Sequence, residues 1–129
     1  PLQNGFSLVS LSDLLVPSDE VRQNLRAVAQ SALPVTLYNP AGRKRRHLLT
    51  EALDIFREQR GGDVLCAYVR HAGRPQEAVQ HVGHRIGRLD DFPADEVDMS
   101  TLVIIGGPRT ITDAGAMYEA RGYVEKYME

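Results

Sequence analysis

The sequence contains no tryptophan, a single cysteine and no long hydrophobic run. One cysteine, Cys66, excludes an intrachain disulfide, a thiolate metal cluster and a CxxC redox pair, and it favours a reducing, cytoplasmic location. No apolar stretch reaches the roughly 20 residues that a transmembrane helix needs, so we expect no membrane association. Lys and Arg number 15 against 17 Asp and Glu. This balance argues against a broad nucleic-acid-binding surface.

The remaining composition is that of an ordinary globular domain. The chain has 129 residues, 43% of them hydrophobic and 25% charged. That length buries enough surface for one core without metal or disulfide support, so we predict a single domain over residues 1–129. Because the chain begins at Pro1 rather than Met, we expect it to be processed or cut from a longer protein.

Two segments show helical spacing of apolar residues. The first helix is predicted over residues 19–32, with Ser18 as its N-cap. The second carries an apolar stripe over residues 48–56 and ends at Gly61 and Gly62.

Short apolar runs bounded by turn residues predict strands between and after these helices. They cover residues 6–11, 35–38, 64–69 and 101–105. A further strand is plausible over residues 77–82, residues 83–89 are ambiguous between a helical turn and a loop, and residues 90–98 read as an irregular or short helical connection. A hairpin is predicted around residues 113–115. Strands alternating with helices indicate an α/β domain with a mixed or mostly parallel, largely buried sheet flanked by helices. Ligands of such sheets bind beyond the carboxyl ends of the strands, which directs attention to the loops after Tyr38, Val69 and Ile105.

Several loop residues are candidates for binding or catalysis, and each also has a structural interpretation. Asn39 precedes a proline, which biases its backbone out of the α region. Its side chain and carbonyl group then either contact a ligand or belong to a purely structural turn. Residues 70–75 form either a ligand loop or a plain connection. His71 is a possible general base, although a loop histidine is more often solvated. His81 and His84 have HxxH spacing, but without a third ligand they do not make a metal site. No GxSxG or phosphate-binding glycine pattern is present.

One dense cationic run occupies residues 43–47. Positive charge at the start of a helix opposes the helix dipole. The run therefore either faces solvent or meets an anionic partner, of which a polycarboxylate substrate is one example and nucleic acid another.

Several segments, in order along the chain, together resemble the tetrapyrrole methylases, in the branch of the precorrin-3B C(17)-methyltransferases. The matching segments are SLSDLL at residues 10–15, LYNP followed by RKR at 37–45, VRHAGR at 69–74 with Glu77, VDMSTLVIIG at 97–106, and Met117 with RGY at 121–123. The resemblance spans nearly the whole chain.

The resemblance implies that the chain is the C-terminal domain of a two-domain enzyme, with residues 1–17 resembling the interdomain segment. The family's glycine-rich GxGxG-type segment of the N-terminal domain has no counterpart here, so the chain alone is expected to be inactive. The resemblance also implies a homodimer for the intact enzyme. Where the branch carries His-Asp-Phe this sequence has Asn4-Gly5-Phe6, so no role of that histidine or aspartate is transferred. The longer acidic stretch around residues 90–96 is interpreted as a surface insertion.

The implied activity is methyl transfer from S-adenosylmethionine to carbon 17 of precorrin-3B with ring contraction, in cobalamin biosynthesis. Alternatives are a methylase acting at another corrin carbon and a non-catalytic ligand-binding module. The implied donor-binding residues are Tyr38 and Asn39 at the amino-acid or ribose end, and Ala72, Gly73 and the backbone of Ser100, Thr101 and Leu102 around the adenine. The implied partners of the substrate carboxylates are Arg43, Lys44 and Arg45. No catalytic residue and no metal ligand is assigned.

Overall fold

The structure, a computed structural model, describes residues 5–40, 46–70, 84–113 and 116–119. Seven strands and two α-helices form in these ranges. In chain order they are β1 (Ser7–Ser10), α1 (Ser18–Gln30), β2 (Val35–Tyr38), α2 (His47–Arg60), β3 (Leu65–Arg70), β4 (His84–Arg88), β5 (Thr101–Ile105), β6 (Thr110–Asp113) and β7 (Ala116–Glu119). Two short 3-10 turns, Leu89–Asp91 and Ala94–Glu96, lie between β4 and β5.

Five strands make one mixed sheet in the order β1-β2-β5-β3-β4. β1 and β2 are parallel, whereas β5 is antiparallel to both of its neighbours and β4 is antiparallel to β3. Val103 of β5 lies opposite Leu37 of β2 and Tyr68 of β3, which sets the register at the centre of the sheet. The predicted mixed α/β fold is confirmed, with β1 and β2 as the parallel pair of the described sheet.

Both helices pack on the same face of this sheet. Side chains alternate between the two faces of a strand, so every second residue of β2 and β5 points toward the helices. Val35, Leu37, Val103 and Ile105 are all fully buried there. The helix residues that meet them are Val21, Leu25, Ala29, Leu48, Leu49, Ala52, Leu53 and Phe56.

The opposite face of the sheet has no covering helix among the described residues. Phe6 lies just before β1 and is 61% exposed, as is Leu8 within β1. Tyr38, on the same face of β2, is 39% exposed. The side chains of Leu102 and Ile104 point to this face as well, since they alternate with the buried residues of β5.

The helices begin and end close to the predicted positions, but Ser18 is not an N-cap. It is the first residue of α1, after Pro17, and its hydroxyl donates to the Asp13 carboxylate at 3.0 Å, whereas an N-cap hydroxyl accepts from a helix amide. Gly61 ends α2 with φ of 86°, a left-handed conformation that favours glycine.

Arg60, the last residue of α2, joins segments that are distant in sequence. Its guanidinium donates at 2.7–3.2 Å to main-chain carbonyls at the end of α1, in the connection to β2 and just after β5. The acceptors are the carbonyls of Val28, Ala29, Ser31, Leu33 and Gly106. The guanidinium also lies 4.9 Å from the centre of the Phe56 ring, a cation–π distance. One side chain therefore supports a loop region that has no regular secondary structure.

Residues 83–89 were expected to be a helical turn or a loop, which is wrong, because His84–Arg88 is a strand. Its identity comes from pairing with β3, with Gly87 opposite Cys66 and Ile86 opposite Ala67. The segment lacks the alternating apolar pattern that signals a strand. The strand predicted over residues 77–82 lies outside the described residues.

The remaining expectations for the C-terminal part are met where they can be compared. The connection over residues 90–98 contains short 3-10 turns, and β6 and β7 form the hairpin, with Asp113 opposite Ala116. None of residues 90–96, the acidic stretch, is buried, whereas the flanking Leu89 and Val97 are fully buried in the core. No helix among the described residues is long and apolar enough to cross a bilayer.

Candidate functional site

Most of the described residues that the sequence indicates as candidates for ligand binding lie at one edge of the sheet. β2 and β3 end at this edge and the antiparallel β5 begins there, which places Tyr38 and Asn39 near Thr101. We refer to Tyr38, Asn39, Ser100, Thr101 and Leu102, the described residues that the family resemblance assigns to the methyl donor, as the donor edge. Ala72 and Gly73 follow the last residue of β3 and lie outside the described residues, as do Arg43, Lys44 and Arg45.

The loop after Ile105 does not belong to this edge, contrary to expectation. Because β5 is reversed, its carboxyl end lies at the opposite side of the sheet, beside the start of β3. There the Gly106 amide donates to the Leu65 carbonyl at 2.8 Å. Local sequence predicts that a strand exists but not its direction, so the third loop was placed wrongly.

Tyr38 and Asn39 are held by β1 as well as by β2. The Tyr38 carbonyl accepts a hydrogen bond from the Leu11 amide at 2.9 Å, and the Asn39 amide group donates to the Ser10 hydroxyl at 3.4 Å. Asn39 has φ of 52°, which is outside the right-handed α region, as expected, but left-handed rather than extended. Asparagine tolerates this conformation better than most side chains. The conformation fixes where the chain turns away at the end of β2.

Thr101 is buried at the donor edge, with 1% of its surface exposed. Its hydroxyl donates to the Asp98 carboxylate at 3.0 Å and accepts from the Asp98 amide at 3.1 Å. The amide of Ser100 also donates to the Asp98 carboxylate, at 2.8 Å. The Thr101 side chain therefore shapes the turn into β5.

Replacing Thr101 with valine should lower the free energy of unfolding by about 1–2 kcal/mol, because the shape is kept while the Asp98 amide loses its buried acceptor. Urea denaturation measures the difference. Thr101→Ser keeps the hydroxyl and should recover most of the loss. Equal effects of the two substitutions would contradict this role for the hydroxyl.

Sequence reasoning did not find a polar cluster beside the end of β3. The Tyr68 hydroxyl donates to the Glu96 carboxylate at 2.5 Å, and the Arg70 guanidinium donates to the Glu96 carbonyl at 2.6 Å. The Arg70 guanidinium lies 5.4 Å from the centre of the Tyr68 ring, and Phe92 packs edge-on against that ring at 6.1 Å. The spacing of Tyr68 and Arg70 puts both on one strand face, but nothing in the sequence indicates Glu96 as their partner. The cluster fixes the acidic connection to the sheet next to the donor edge.

The described residues contain few groups suited to acid–base or nucleophilic chemistry. No group of three or more His, Cys, Asp or Glu that could hold a metal occurs among them. Cys66 is 1% exposed, and burial raises the pKa of its thiol to about 12, so it is not a nucleophile. His47 lies 3.8 Å from the Asp13 carboxylate at the start of α2. His71 and His81 lie outside the described residues.

Comparison with known proteins gives consistent results over nearly the whole chain. The chain is 38% identical to the cobalamin biosynthesis protein CbiHC of Archaeoglobus fulgidus, over 98% of this chain and 26% of that protein. It is 35% identical to a probable cobalt-factor III C(17)-methyltransferase of Methanothermobacter thermautotrophicus, over 93% of this chain and 32% of the relative. It is 36% identical to a precorrin-3B C(17)-methyltransferase of a Sinorhizobium species, over 85% of this chain and 41% of that protein. No family model matches the chain.

A solved structure agrees with the sequence comparisons. The crystal structure of the methyltransferase CobJ superimposes with a TM-score of 0.79 at 27% identity, over 91% of this chain and 47% of that one. The fold and the relatives together define a methyltransferase homologue. Within that class, the chain is similar over most of its length to the cobalt-factor III and precorrin-3B C(17)-methyltransferases, in agreement with the resemblance noted in the sequence. The chain spans 26–41% of the length of these three relatives.

Proposed function

We propose that the chain is the C-terminal domain of an S-adenosylmethionine-dependent methyltransferase that methylates carbon 17 of a precorrin-3B-type macrocycle and contracts the ring. The main support is that relatives named for C(17) methylation align with 85–93% of the chain. The upstream sequence that such relatives carry supplies the N-terminal domain, and the intact enzyme is a homodimer.

The donor edge fits one side of a methyl-donor site. Binding sites for small-molecule ligands combine apolar walls with a few polar groups that fix the orientation of the ligand. Tyr38 is partly exposed, and Leu102 points to the same sheet face, so they offer an aromatic and an aliphatic wall. Asn39 adds an amide at a fixed turn. Ala72 and Gly73, which follow β3 in the sequence, are assigned to the adenine, because alanine has a small side chain and glycine has none, so a ligand can approach the backbone closely.

Methyl transfer depends more on the alignment of the donor with the ring carbon than on a reactive side chain. S-adenosylmethionine supplies, when bound, a methyl group on a sulfonium, which is already a good leaving group. The protein must then orient the reacting groups and exclude water. Tyr38 and Asn39 orient the donor end, while the hydrogen bonds between Asp98 and the buried Thr101 hydroxyl hold the start of β5 beside them. The buried thiol of Cys66 takes no part.

The substrate is a tetrapyrrole whose peripheral carboxylates pair with Arg43, Lys44 and Arg45. Guanidinium groups suit this task because they form two parallel hydrogen bonds to a carboxylate. Relatives are named for both cobalt-factor III and precorrin-3B. Incubating the longer protein with each macrocycle and identifying the methylated carbon decides between these substrates and tests the alternative of methylation elsewhere on the ring.

The direct test is calorimetric titration of S-adenosylhomocysteine, the product of the donor, into two proteins. One is the 129-residue chain, and the other carries the upstream sequence of its relatives as well. Binding by the longer protein alone is expected, because the site lies between two domains. Tight binding by the short chain would favour a self-sufficient ligand-binding module, and binding by neither would contradict the proposal.

Within the longer protein, Tyr38→Ala and Asn39→Gly should each weaken S-adenosylhomocysteine binding by about tenfold, or ~1.4 kcal/mol. Glycine is chosen at position 39 because it keeps the left-handed backbone while removing the amide. Gln59→Ala, on the exposed end of α2 away from the donor edge, is the matched control. Unchanged affinity in both variants would remove these residues from the donor site.

A further inference from the structure

A groove runs along the free edge of β1, between that strand and α1. Its volume is ≈ 660 Å³. β1 is the outermost strand of the sheet, so the described residues leave its outer side open. Leu8, Leu15 and Val16 give the groove apolar walls, and Ser7 and Asn24 add a hydroxyl and an amide. We call this feature the edge groove.

The loop between β1 and α1 presents large apolar side chains to solvent at the mouth of the edge groove. Leu14 is 69% exposed, Leu15 is 97% exposed and Val16 is 38% exposed. Three adjacent exposed apolar residues are unusual on a protein surface and mark interaction sites more often than chance placement.

This loop is held in place by its own hydrogen bonds. The Ser12 amide donates to the Ser10 hydroxyl at 3.2 Å, and the Leu14 amide donates to the Ser12 hydroxyl at 3.3 Å. The Asp13 carboxylate accepts from the Ser18 hydroxyl at 3.0 Å and lies 3.8 Å from His47. The exposed leucines therefore stand on a braced loop, and their outward orientation is built into the fold.

The edge groove continues into the donor edge. Tyr38 and Asn39 line the groove and also end β2, where the methyl donor is placed in the proposed function. A reacting ring carbon must come within van der Waals distance of the transferred methyl group. A large flat substrate that contacts Tyr38 would therefore extend from the donor edge into the edge groove.

We propose that the edge groove is the binding site of the tetrapyrrole, with the apolar face of the macrocycle packed on Leu15 and with Asn24 and Ser7 donating hydrogen bonds to peripheral carboxylates other than those that pair with Arg43, Lys44 and Arg45. This inference rests on the proposed function and adds the substrate-binding residues of this chain. The groove suits a planar, apolar ligand with polar substituents, because its walls are aliphatic while its hydrogen-bonding groups lie beside them. Leu15 and Asn24 are thus specificity-determining residues of the reaction.

The test uses the longer protein, with uroporphyrin as a stable macrocycle with eight carboxylates and S-adenosylhomocysteine as the donor probe. Leu15→Ser should weaken uroporphyrin binding, followed by fluorescence, by about tenfold. Asn24→Ala should weaken it by about threefold. Both variants should keep the wild-type melting temperature and donor affinity, because both side chains are exposed. Ile111→Ser removes a partly exposed isoleucine from the separate β6–β7 hairpin and serves as the matched control.

Three outcomes would overturn the inference. The first is unchanged uroporphyrin affinity in Leu15→Ser and Asn24→Ala. The second is a lowered melting temperature in Leu15→Ser, which would show that the rest of the polypeptide covers this loop. The third is a wild-type protein that binds S-adenosylhomocysteine but not uroporphyrin. A wild-type protein that binds neither ligand would instead contradict the proposed function itself.

Discussion

Arg60→Met should lower the free energy of unfolding by about 3 kcal/mol, since several half-buried carbonyls lose their donor and each such loss costs roughly 1–3 kcal/mol before water compensates. Methionine keeps much of the aliphatic length, so the packing on Phe56 changes less than the hydrogen bonding. The effect is large because the acceptors come from three separate segments, among them Val28 in α1, Leu33 before β2 and Gly106 after β5. Urea denaturation followed by circular dichroism measures the change.

Two further variants sharpen this expectation. Arg60→Lys keeps the charge but donates from a single nitrogen, so it should recover only a minor part of the loss. Arg26→Met makes the same chemical change at an exposed position of α1 and should cost less than about 0.5 kcal/mol. If the Arg60→Lys variant were as stable as the wild type, charge and not the fan of hydrogen bonds would be the stabilising feature.

Cys66 should resist alkylation in the folded protein by at least about a thousandfold relative to the unfolded chain at pH 8, because the thiolate is the reacting form. Burial raises the pKa of the thiol from 9.0 to about 12, which lowers the thiolate fraction, and 1% exposure blocks the reagent as well. Mass spectrometry after timed exposure to iodoacetamide measures the rate. The chain contains one cysteine, so every added group reports on this site.

The same thiol makes a pH-dependent contribution to stability. A raised pKa means that the folded state keeps its proton while the unfolded state loses it, so this contribution is complete below about pH 9 and is lost between about pH 9 and 12. As a control for the alkylation experiment, unfolding in urea should raise the alkylation rate of Cys66 to that of a free thiol. Rapid alkylation under native conditions, at a rate independent of unfolding, would contradict the burial of Cys66.

The sequence predicts the buried strands and both helices well, because their signals are local. β2, β3 and β5 are continuous apolar runs ended by glycine, proline or polar residues, and α1 and α2 show clear helical spacing. β4 was missed since its residues are mostly polar and its conformation comes from pairing with β3. The antiparallel direction of β5 relative to β2 and β3 was not predicted either. The same strand sequence can pair in parallel or antiparallel, so its direction depends on the neighbouring strands.

The same distinction between local and long-range contacts applies to the residues around the candidate site. The position of Tyr38 and Asn39 at the end of β2 was predicted, because they follow an apolar run and carry the family resemblance; their role in donor binding stays a prediction. Glu96, beside the donor edge, and Arg60, at the other end of the sheet, were not predicted, because their partners lie far away in sequence: Arg60 donates to Gly106, 46 residues on, and Glu96 accepts from Tyr68, 28 residues back. Contacts over such distances depend on topology, which a local pattern does not contain.

The central position of β5 has a consequence for the order in which the chain becomes stable during synthesis. β5 lies between β2 and β3, although it is made after both, so Leu37 and Tyr68 have no common neighbour until Val103 leaves the ribosome. Until then the nascent chain holds two incomplete parts of a sheet, each with an open apolar side. Pairings that span such long stretches of sequence close slowly. A stop codon between β4 and β5, at positions 89–101, should therefore yield a product that chaperones hold or proteases remove, even though both helices and most of the sheet are already encoded.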